Sequence, residues 1–179
     1  MPLAKKLGYN LDEMVISNGT GGGTLAILYA YRDADKSPIP VKMMFEMVGS
    51  SSFFAENWVI YGLDKNNEAA GLFGVMLGSE IDKDIIGTDE LQEIIKPISA
   101  YAWVNEHSAP SVIAYGKYDT MCQFNTARHL VNALQENNVD YEYFEAPHSG
   151  HGLQNDSNVN EEFMDTVVRY LDKYMPVEK

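Results

Sequence analysis

Short strand-like runs alternate with helix-like apolar stripes along this chain. Four runs have the length and residue types of strands, and they cover residues 14–16, 41–48, 111–115 and 141–145. The first run ends in Ser, Asn and Gly, and the second and third close on Gly49 and Gly116. Because glycine and small polar residues end regular structure, each of these runs predicts one strand followed by a turn.

Apolar residues at spacings of three and four predict helices between these strands. Residues 25–31 read as a helix that ends at the segment "DADKSPIP", and residues 68–77 read as another. The last two helices have clear apolar stripes, formed by Ala127, Leu130, Val131 and Leu134 and by Phe163, Val167, Leu171 and Tyr174. Each stripe is expected to pack on the sheet.

The alternation of strands and helices favours an α/β fold, with a mostly parallel sheet covered by helices on both faces. We expect residues 1–179 to form a single domain. A long excursion of about residues 50–109 separates the second and third strands, with an acidic stretch near residues 82–93. Insertions of this kind often cap a binding site.

The charge of the chain excludes several classes of partner. The 179 residues include 13 Lys and Arg against 26 Asp and Glu, a net charge of −13, which repels nucleic acid and anionic lipid. No apolar run is long enough to cross a bilayer, and the sequence shows no signal peptide. Cys122 is the only cysteine and cannot form an internal disulfide. We therefore expect a cytoplasmic location.

The glycine-rich segment "ISNGTGGGT" at residues 16–24 has three possible interpretations: a phosphate-binding loop, a catalytic turn, or a tight connection. No lysine follows the glycines, which excludes a P-loop, and Thr24 occupies the position where a dinucleotide fingerprint needs its last glycine. A strand, a sharp turn with a hydroxyl residue at its apex, and a helix are typical of a nucleophile elbow. The apex is Thr20, although a simple helix N-cap stays open as an alternative.

A nucleophilic hydroxyl needs a base, and the base needs an acid to orient it. Asp119 follows the third strand in "YGKYDT", and His151 follows the fourth in "PHSGHG". Hydroxyl, Asp and His thus occur in the chain order of the α/β-hydrolases. His148 lies three residues before His151, but its loop context does not favour a metal site.

The segments "ISNGTGGGTLA", "AYGKYDT" and "PHSGHGLQND" resemble those of α/β-hydrolase esterases and lipases of the hormone-sensitive-lipase-like type. The resemblance implies Thr20 as nucleophile, the Gly21 N–H as oxyanion donor, and Asp119 and His151 as the rest of a catalytic triad. It also implies about strands five to eight of that family's sheet. The implied activity is hydrolysis of a small carboxylic ester, with no metal or organic cofactor.

Two departures from the family pattern leave a second hypothesis open. Asn18 and Thr20 replace the first glycine and the serine of G-x-S-x-G, and no "HGGG" oxyanion segment is present. The β-methyl of threonine crowds a strained turn, and loss of an oxyanion donor typically costs about 10²–10³ in kcat. The alternative is therefore a catalytically inactive relative that serves as a binding or assembly module.

The sequence also suggests a substrate pocket and an assembly. An aromatic cluster after the second strand could line an apolar acyl pocket or belong to the core, and its members are Phe53, Phe54, Trp58 and Tyr61. The first strand would lie at an open, apolar edge of the sheet. We therefore expect a homo-oligomer, specifically a homodimer, or a partner segment that precedes this chain.

Overall fold

The computed structural model describes residues 2–9, 11–54, 68–85 and 88–176. The strands are β1 Met14–Gly19, β2 Val41–Met47, β3 Ser111–Gly116 and β4 Tyr141–Ala146. The α-helices are α1 Pro2–Lys6, α2 Thr20–Leu28, α3 Glu68–Leu77, α4 Asp89–Ile95, α5 Phe124–Glu136 and α6 Ser157–Tyr174. All four predicted strands are present, each within a few residues of its predicted bounds.

The four strands form one sheet in the order β1-β2-β3-β4, and every neighbouring pair is parallel. The registers Ile16 to Met44 and Ile113 to Tyr143 align the carboxyl ends of the strands at one edge. Parallel neighbours need a crossover, and helices α2, α5 and the segment between β2 and β3 supply these connections. The predicted α/β fold with a parallel sheet is confirmed.

Side chains that alternate along the central strands bury two apolar layers. Met44 and Ile113 point to the face covered by α2 and α5, while Met43 and Val112 point to the face covered by α6. A third cluster joins α3 and α4 through Phe73, Leu91 and Ile95. The predicted stripes of α5 and α6 face these layers, with Leu130 and Phe163 at their centres.

Helix α2 differs from its prediction at both ends. It begins at Thr20 rather than at residue 25, although Gly21, Gly22 and Gly23 are poor helix formers. Tertiary packing overrides this weak propensity, since Gly23, Thr24 and the apolar residues Ala26, Ile27 and Leu28 are buried. The helical path then continues as a π-helix over Tyr29–Asp33 and a 3₁₀ turn over Ala34–Lys36 before the prolines end it.

The excursion after β2 contains α3, α4 and several 3₁₀ turns. Residues 55–67 and 86–87 of this excursion lie outside the described residues, so its role as a cap and the single-domain organisation stay predictions. Of the helices in the described part of the chain, none combines the length and the apolar composition needed to cross a membrane.

Candidate active site

Thr20 lies at a sharp turn between β1 and α2. Its φ is 51°, a left-handed conformation that is a genuine outlier for a β-branched residue. Residue Gly19 before it is still extended, with φ −132° and ψ 163°, so the chain changes direction within one residue. This strained strand-turn-helix geometry is that of a nucleophile elbow. It presents the Thr20 side chain at the carboxyl edge of the sheet.

The elbow accommodates asparagine where the family pattern has its first glycine. The Asn18 Oδ1 accepts a hydrogen bond of 2.8 Å from the Gly19 N–H. A Cβ built on Gly22 would lie only 2.3 Å from the Asn18 Cγ, so the Asn18 side chain occupies the space that glycine leaves open. Asn18 therefore fits beside position 22 because glycine has no side chain there.

Three predicted side chains meet above the elbow. The His151 Nε2 lies 2.7 Å from the Thr20 Oγ1, and the His151 Nδ1 lies 2.8 Å from the Asp119 Oδ2. Asp119 follows β3 and its side chain is fully buried, whereas His151 follows β4 and keeps about a quarter of its side chain exposed. Residues far apart in the chain thus form one continuous hydrogen-bonded row.

The hydrogen bonds fix the direction of this row. An ionised carboxylate can only accept, so in the neutral imidazole Nδ1 carries the proton that points to Asp119. The Nε2 atom is then an acceptor, and the Thr20 hydroxyl donates to it. The other Asp119 oxygen accepts the backbone N–H groups of Met121 at 2.8 Å and Cys122 at 2.9 Å. These bonds hold the carboxylate in place.

Backbone contacts lock the His151 loop to the Asp119 loop. The Tyr118 N–H donates to the Ser149 carbonyl at 3.0 Å. Gly116, the last residue of β3, lies so close to this loop that an added Cβ would be 2.2 Å from the Gly150 carbonyl oxygen. The close approach requires glycine at position 116, because a backbone carbonyl cannot move aside as a flexible side chain can.

Asp156 anchors the other side of the same loop. Its carboxylate accepts the Ser149 hydroxyl at 2.5 Å and the His148 N–H at 3.1 Å, and its other oxygen lies 2.9 Å from the His148 Nδ1. His148 is therefore engaged with a carboxylate, as a loop residue. No group of three or more metal-ligating side chains occurs among the residues that the structure describes.

An apolar cavity of about 360 Å³ opens beside Thr20. Gly21 and the exposed amino-terminal turn of α2 form its polar end, where the first N–H groups of a helix have no intrahelical partner. A second, more open cavity of about 330 Å³ contacts Thr20 and His151 on the other side. The apolar cavity is lined by Thr20, Gly21, Thr24, Leu25, Ser50, Phe53, Phe73, Met76, Met121 and Cys122.

The predicted aromatic residues fall in different places. Phe53 lines the apolar cavity, whereas Phe54 lies outside its lining and contacts Tyr101 with ring centroids 5.6 Å apart. Trp58 and Tyr61 lie outside the described residues. Phe73 and Met76 also line this cavity, and they were not predicted as pocket residues.

Phe73 and Met76 belong to α3, whose place beside the elbow depends on tertiary packing. The sequence predicted a helix at residues 68–77 but not where that helix packs. The remaining lining residues that were not predicted from the sequence are Thr24, Leu25, Ser50, Met121 and Cys122.

Solved structures share this fold. An esterase from the planctomycete Thermogutta terrifontis matches with a TM-score of 0.67 and 18% identity, over 98% of this chain and 60% of its own. An acetyl ester-xyloside bifunctional hydrolase from Caldicellulosiruptor lactoaceticus matches with a TM-score of 0.67 and 16% identity, over 99% and 62%. A truncated carbohydrate esterase from gut microbiota matches with a TM-score of 0.69 and 15% identity, over 94% and 63%.

These likenesses define the class: the chain has an esterase-like α/β-hydrolase fold. The model of the prolyl oligopeptidase family matches residues 75–177, which is more than half of the chain. The chain therefore belongs to the prolyl oligopeptidase family. The resemblance to α/β-hydrolase esterases is confirmed, and the hormone-sensitive-lipase-like subtype stays a prediction.

The match to these structures covers only part of their length. This chain spans about 60% of the solved structures named above. A comparison with curated protein sequences gave no significant match.

Proposed function

We propose that this chain hydrolyses carboxylic esters through an acyl-enzyme intermediate on Thr20. The observation that carries the proposal is the continuous row from Asp119 through His151 to Thr20, with distances of 2.8 and 2.7 Å. A hydroxyl, an imidazole and a buried carboxylate in hydrogen-bond contact are the parts that acyl transfer requires. An ester substrate is also supported by the structural neighbours that are esterases.

The chemistry follows from the direction of the hydrogen bonds. The His151 Nε2 takes the hydroxyl proton while the Thr20 Oγ1 attacks the ester carbonyl carbon. Asp119 stabilises the imidazolium, and the Gly21 N–H donates to the oxyanion of the tetrahedral intermediate. The imidazolium then protonates the leaving alcohol. Water, deprotonated by His151, attacks the acyl-threonine, and the carboxylic acid leaves as Thr20 recovers its proton.

The apolar cavity suggests which part of the ester lies where. Its lining is almost entirely apolar, and it touches both Thr20 and Gly21, so an acyl chain can enter it with the carbonyl oxygen near the Gly21 N–H. The open cavity contacts Thr20 and His151 and is suited to the leaving alcohol, which His151 must protonate. We therefore propose esters with a short apolar acyl group as substrates.

A non-catalytic binding or assembly role is the second candidate. The observation that favours it is the φ of 51° at a β-branched residue, since the Thr20 methyl restricts χ1 in a turn that is already strained. A nucleophile displaced by about 1 Å can lose on the order of a hundredfold in rate. In this role the hydrogen-bonded row would be retained while acylation is too slow to measure.

Hydrolysis of p-nitrophenyl acetate and butyrate separates the two candidates. The proposal expects measurable turnover by the native chain, a rise of roughly tenfold or more with Thr20→Ser, and loss of both activities with His151→Ala. The control is His107→Ala, which removes an exposed histidine outside this loop and should leave the rate unchanged. A proline-containing peptide ester and its amide, assayed in parallel, test the substrate suggested by the family name.

The acyl-threonine itself can be sought by mass spectrometry after rapid quenching. An acyl adduct on Thr20 that is found in the native chain after quenching at low pH, and is absent from His151→Ala, supports covalent catalysis. Hydrolysis that persists in both Thr20→Ala and His151→Ala would overturn the proposal. Folded, inactive native and Thr20→Ser chains would favour the binding role.

A further inference from the structure

Glu46 is a buried carboxyl group that the proposed chemistry does not use. It lies in β2, within the apolar run "VKMMFEMV", and its side chain is completely inaccessible to solvent. A charged group in such a place is rare unless it is paired. The position of Glu46 in the fold therefore calls for a specific explanation.

The Glu46 carboxyl lies between Gly49, in the loop after β2, and Gly23 of α2. Its Oε2 accepts the Gly49 N–H at 2.7 Å. An added Cβ on Gly23 would lie 2.9 Å from this oxygen, and one on Gly49 would lie 2.7 Å from it. Two glycines thus leave the space that the carboxyl fills, and Gly23 belongs to the helix that starts at Thr20.

A short chain of hydrogen bonds connects this loop to Thr20. The Ser50 N–H donates to the Thr24 Oγ1 at 2.9 Å, and the Thr24 hydroxyl reaches the Thr20 carbonyl at 3.4 Å. From β3, the Tyr115 hydroxyl donates to the Gly49 carbonyl at 2.6 Å. Buried side chains on two strands therefore hold both the N–H and the carbonyl of Gly49, next to the turn that carries Thr20.

The surroundings of Glu46 disfavour its charged form. The titratable groups that face it are Tyr31, Tyr115 and Cys122, which are all acids, and no cation faces it among the described residues. Burial raises the pKa of Glu46 to about 8, although the Tyr115 hydroxyl and the Gly49 N–H oppose this. The Oε1 atom has no hydrogen-bond partner in the described part of the chain.

We propose that Glu46 is a positioning residue that, as a neutral acid, fixes the Gly49 loop against α2 and so holds Thr20 within reach of His151. Ionisation places an unpaired charge between Gly23 and Gly49, which the loop can hydrate only by moving away from the helix. The consequence for catalysis rests on the proposed function, whereas the consequence for the Thr20–His151 contact does not.

The test compares the native chain with Glu46→Gln, which keeps an acceptor for the Gly49 N–H but cannot ionise. Glu145→Gln, at an exposed position of β4, controls for the loss of a carboxylate. With an ester substrate, the native chain and the control should show a bell-shaped profile in kcat that falls about tenfold per pH unit above pH 8. Glu46→Gln should instead reach a plateau, with an unchanged KM.

Two further measurements do not depend on hydrolysis. NMR of the His151 ring should show that its Nδ1–H signal and the Nε2 contact weaken above pH 8 in the native chain and persist in Glu46→Gln. Thermal unfolding measures the linked change in stability, because the pKa of Glu46 in the folded state lies above the unfolded value near 4.5. The folded state then binds the extra proton between these values, so native stability is lost as pH rises from about 4.5 to 8. The melting temperature of Glu46→Gln relative to the native chain should therefore rise between about pH 4.5 and 8, and the difference should stay constant above pH 8.

The outcomes separate the two proposals. If no variant hydrolyses esters but the His151 signals follow pH as expected, the proposed function fails and the role of Glu46 stands. If the native chain hydrolyses esters and Glu46→Gln keeps the same alkaline fall in kcat, the role of Glu46 is wrong. Equal His151 spectra in both variants across pH 8 would also overturn it.

Discussion

At the residue scale, the candidate site depends on a backbone approach that allows no side chain. Gly116 ends β3 directly beneath the His151 loop, and its missing Cβ is what lets the Gly150 carbonyl pass. The loops that carry Asp119 and His151 are joined at this point through the Tyr118 N–H and the Ser149 carbonyl. A change at Gly116 therefore acts on the site through the position of His151.

We expect Gly116→Ala to destabilise the fold by about 1–3 kcal/mol, because the methyl would overlap a backbone atom that cannot repack. Esterase activity should fall with it, since the His151 loop is displaced. Gly71→Ala is the matched control: a Cβ there meets nothing within 4 Å, and replacing an exposed helical glycine typically adds up to about 1 kcal/mol of stability. Urea unfolding measures both variants, and equal midpoints would contradict the argument.

The sequence predicted these residues unequally. The proximity of Thr20, Asp119 and His151 could be predicted because each lies in the segment after a strand, and parallel strands bring their carboxyl ends to one edge. Gly116 was recognised only as the end of a strand. Glu46 could have been noticed as the single acid within an apolar strand, but its contact with α2 depends on how the helix packs, which spacing does not encode.

At the element scale, α3 forms one wall of the site. Phe73 lies on its inner face with only 3% of its surface exposed, and its ring packs against Phe53 with centroids 4.9 Å apart. Val75, two residues further on, is 80% exposed. One face of α3 lines the cavity and the opposite face is exposed to solvent. Substitutions at Phe73 and Val75 therefore compare a cavity position with a surface position in the same helix.

Phe73→Ala should lengthen the apolar cavity and shift the substrate preference of the proposed esterase activity toward longer acyl chains. We expect the ratio of kcat/KM for hexanoate over acetate esters to rise about tenfold, the smallest effect typical of a changed fit in an apolar pocket. Val75→Ala should leave the ratio unchanged. The assay uses the native chain or Thr20→Ser, whichever is more active. A folded Phe73→Ala with the native ratio would show that the acyl group lies elsewhere.

The elements with strong patterns were predicted well from the sequence. Helices α5 and α6 have clear apolar stripes, and both are present with those stripes facing the core. Helix α2 was predicted to start too late, because its glycines have low helix propensity and only burial against the sheet stabilises them. The rest of the excursion was not predicted, because α4 has only seven residues and the 3₁₀ turns are shorter still, too short for a helical period to be recognised.

At the scale of the whole molecule, β1 lies at one edge of the described sheet. Its apolar residues Val15 and Ile16 are only half buried, although α2 and α6 cover the two faces of the central strands. An uncovered edge strand offers unpaired N–H and C=O groups to another chain. The net charge of −13 opposes close approach of two copies, so apolar contact at this edge has to overcome that repulsion.

We predict that the chain forms a homodimer through this edge, as the sequence already suggested. Sedimentation at micromolar concentration should give the mass of two chains, and raising the salt concentration from about 20 to 200 mM should strengthen the dimer by screening like charges. Ile16→Lys adds a charge at the edge and should yield monomers, because edge lysines block strand pairing. Val168→Lys, at an exposed position of α6, is the control and should stay dimeric. A native chain that sediments as a monomer at both salt concentrations would contradict the prediction, and dimers lost only in Val168→Lys would move the interface to α6.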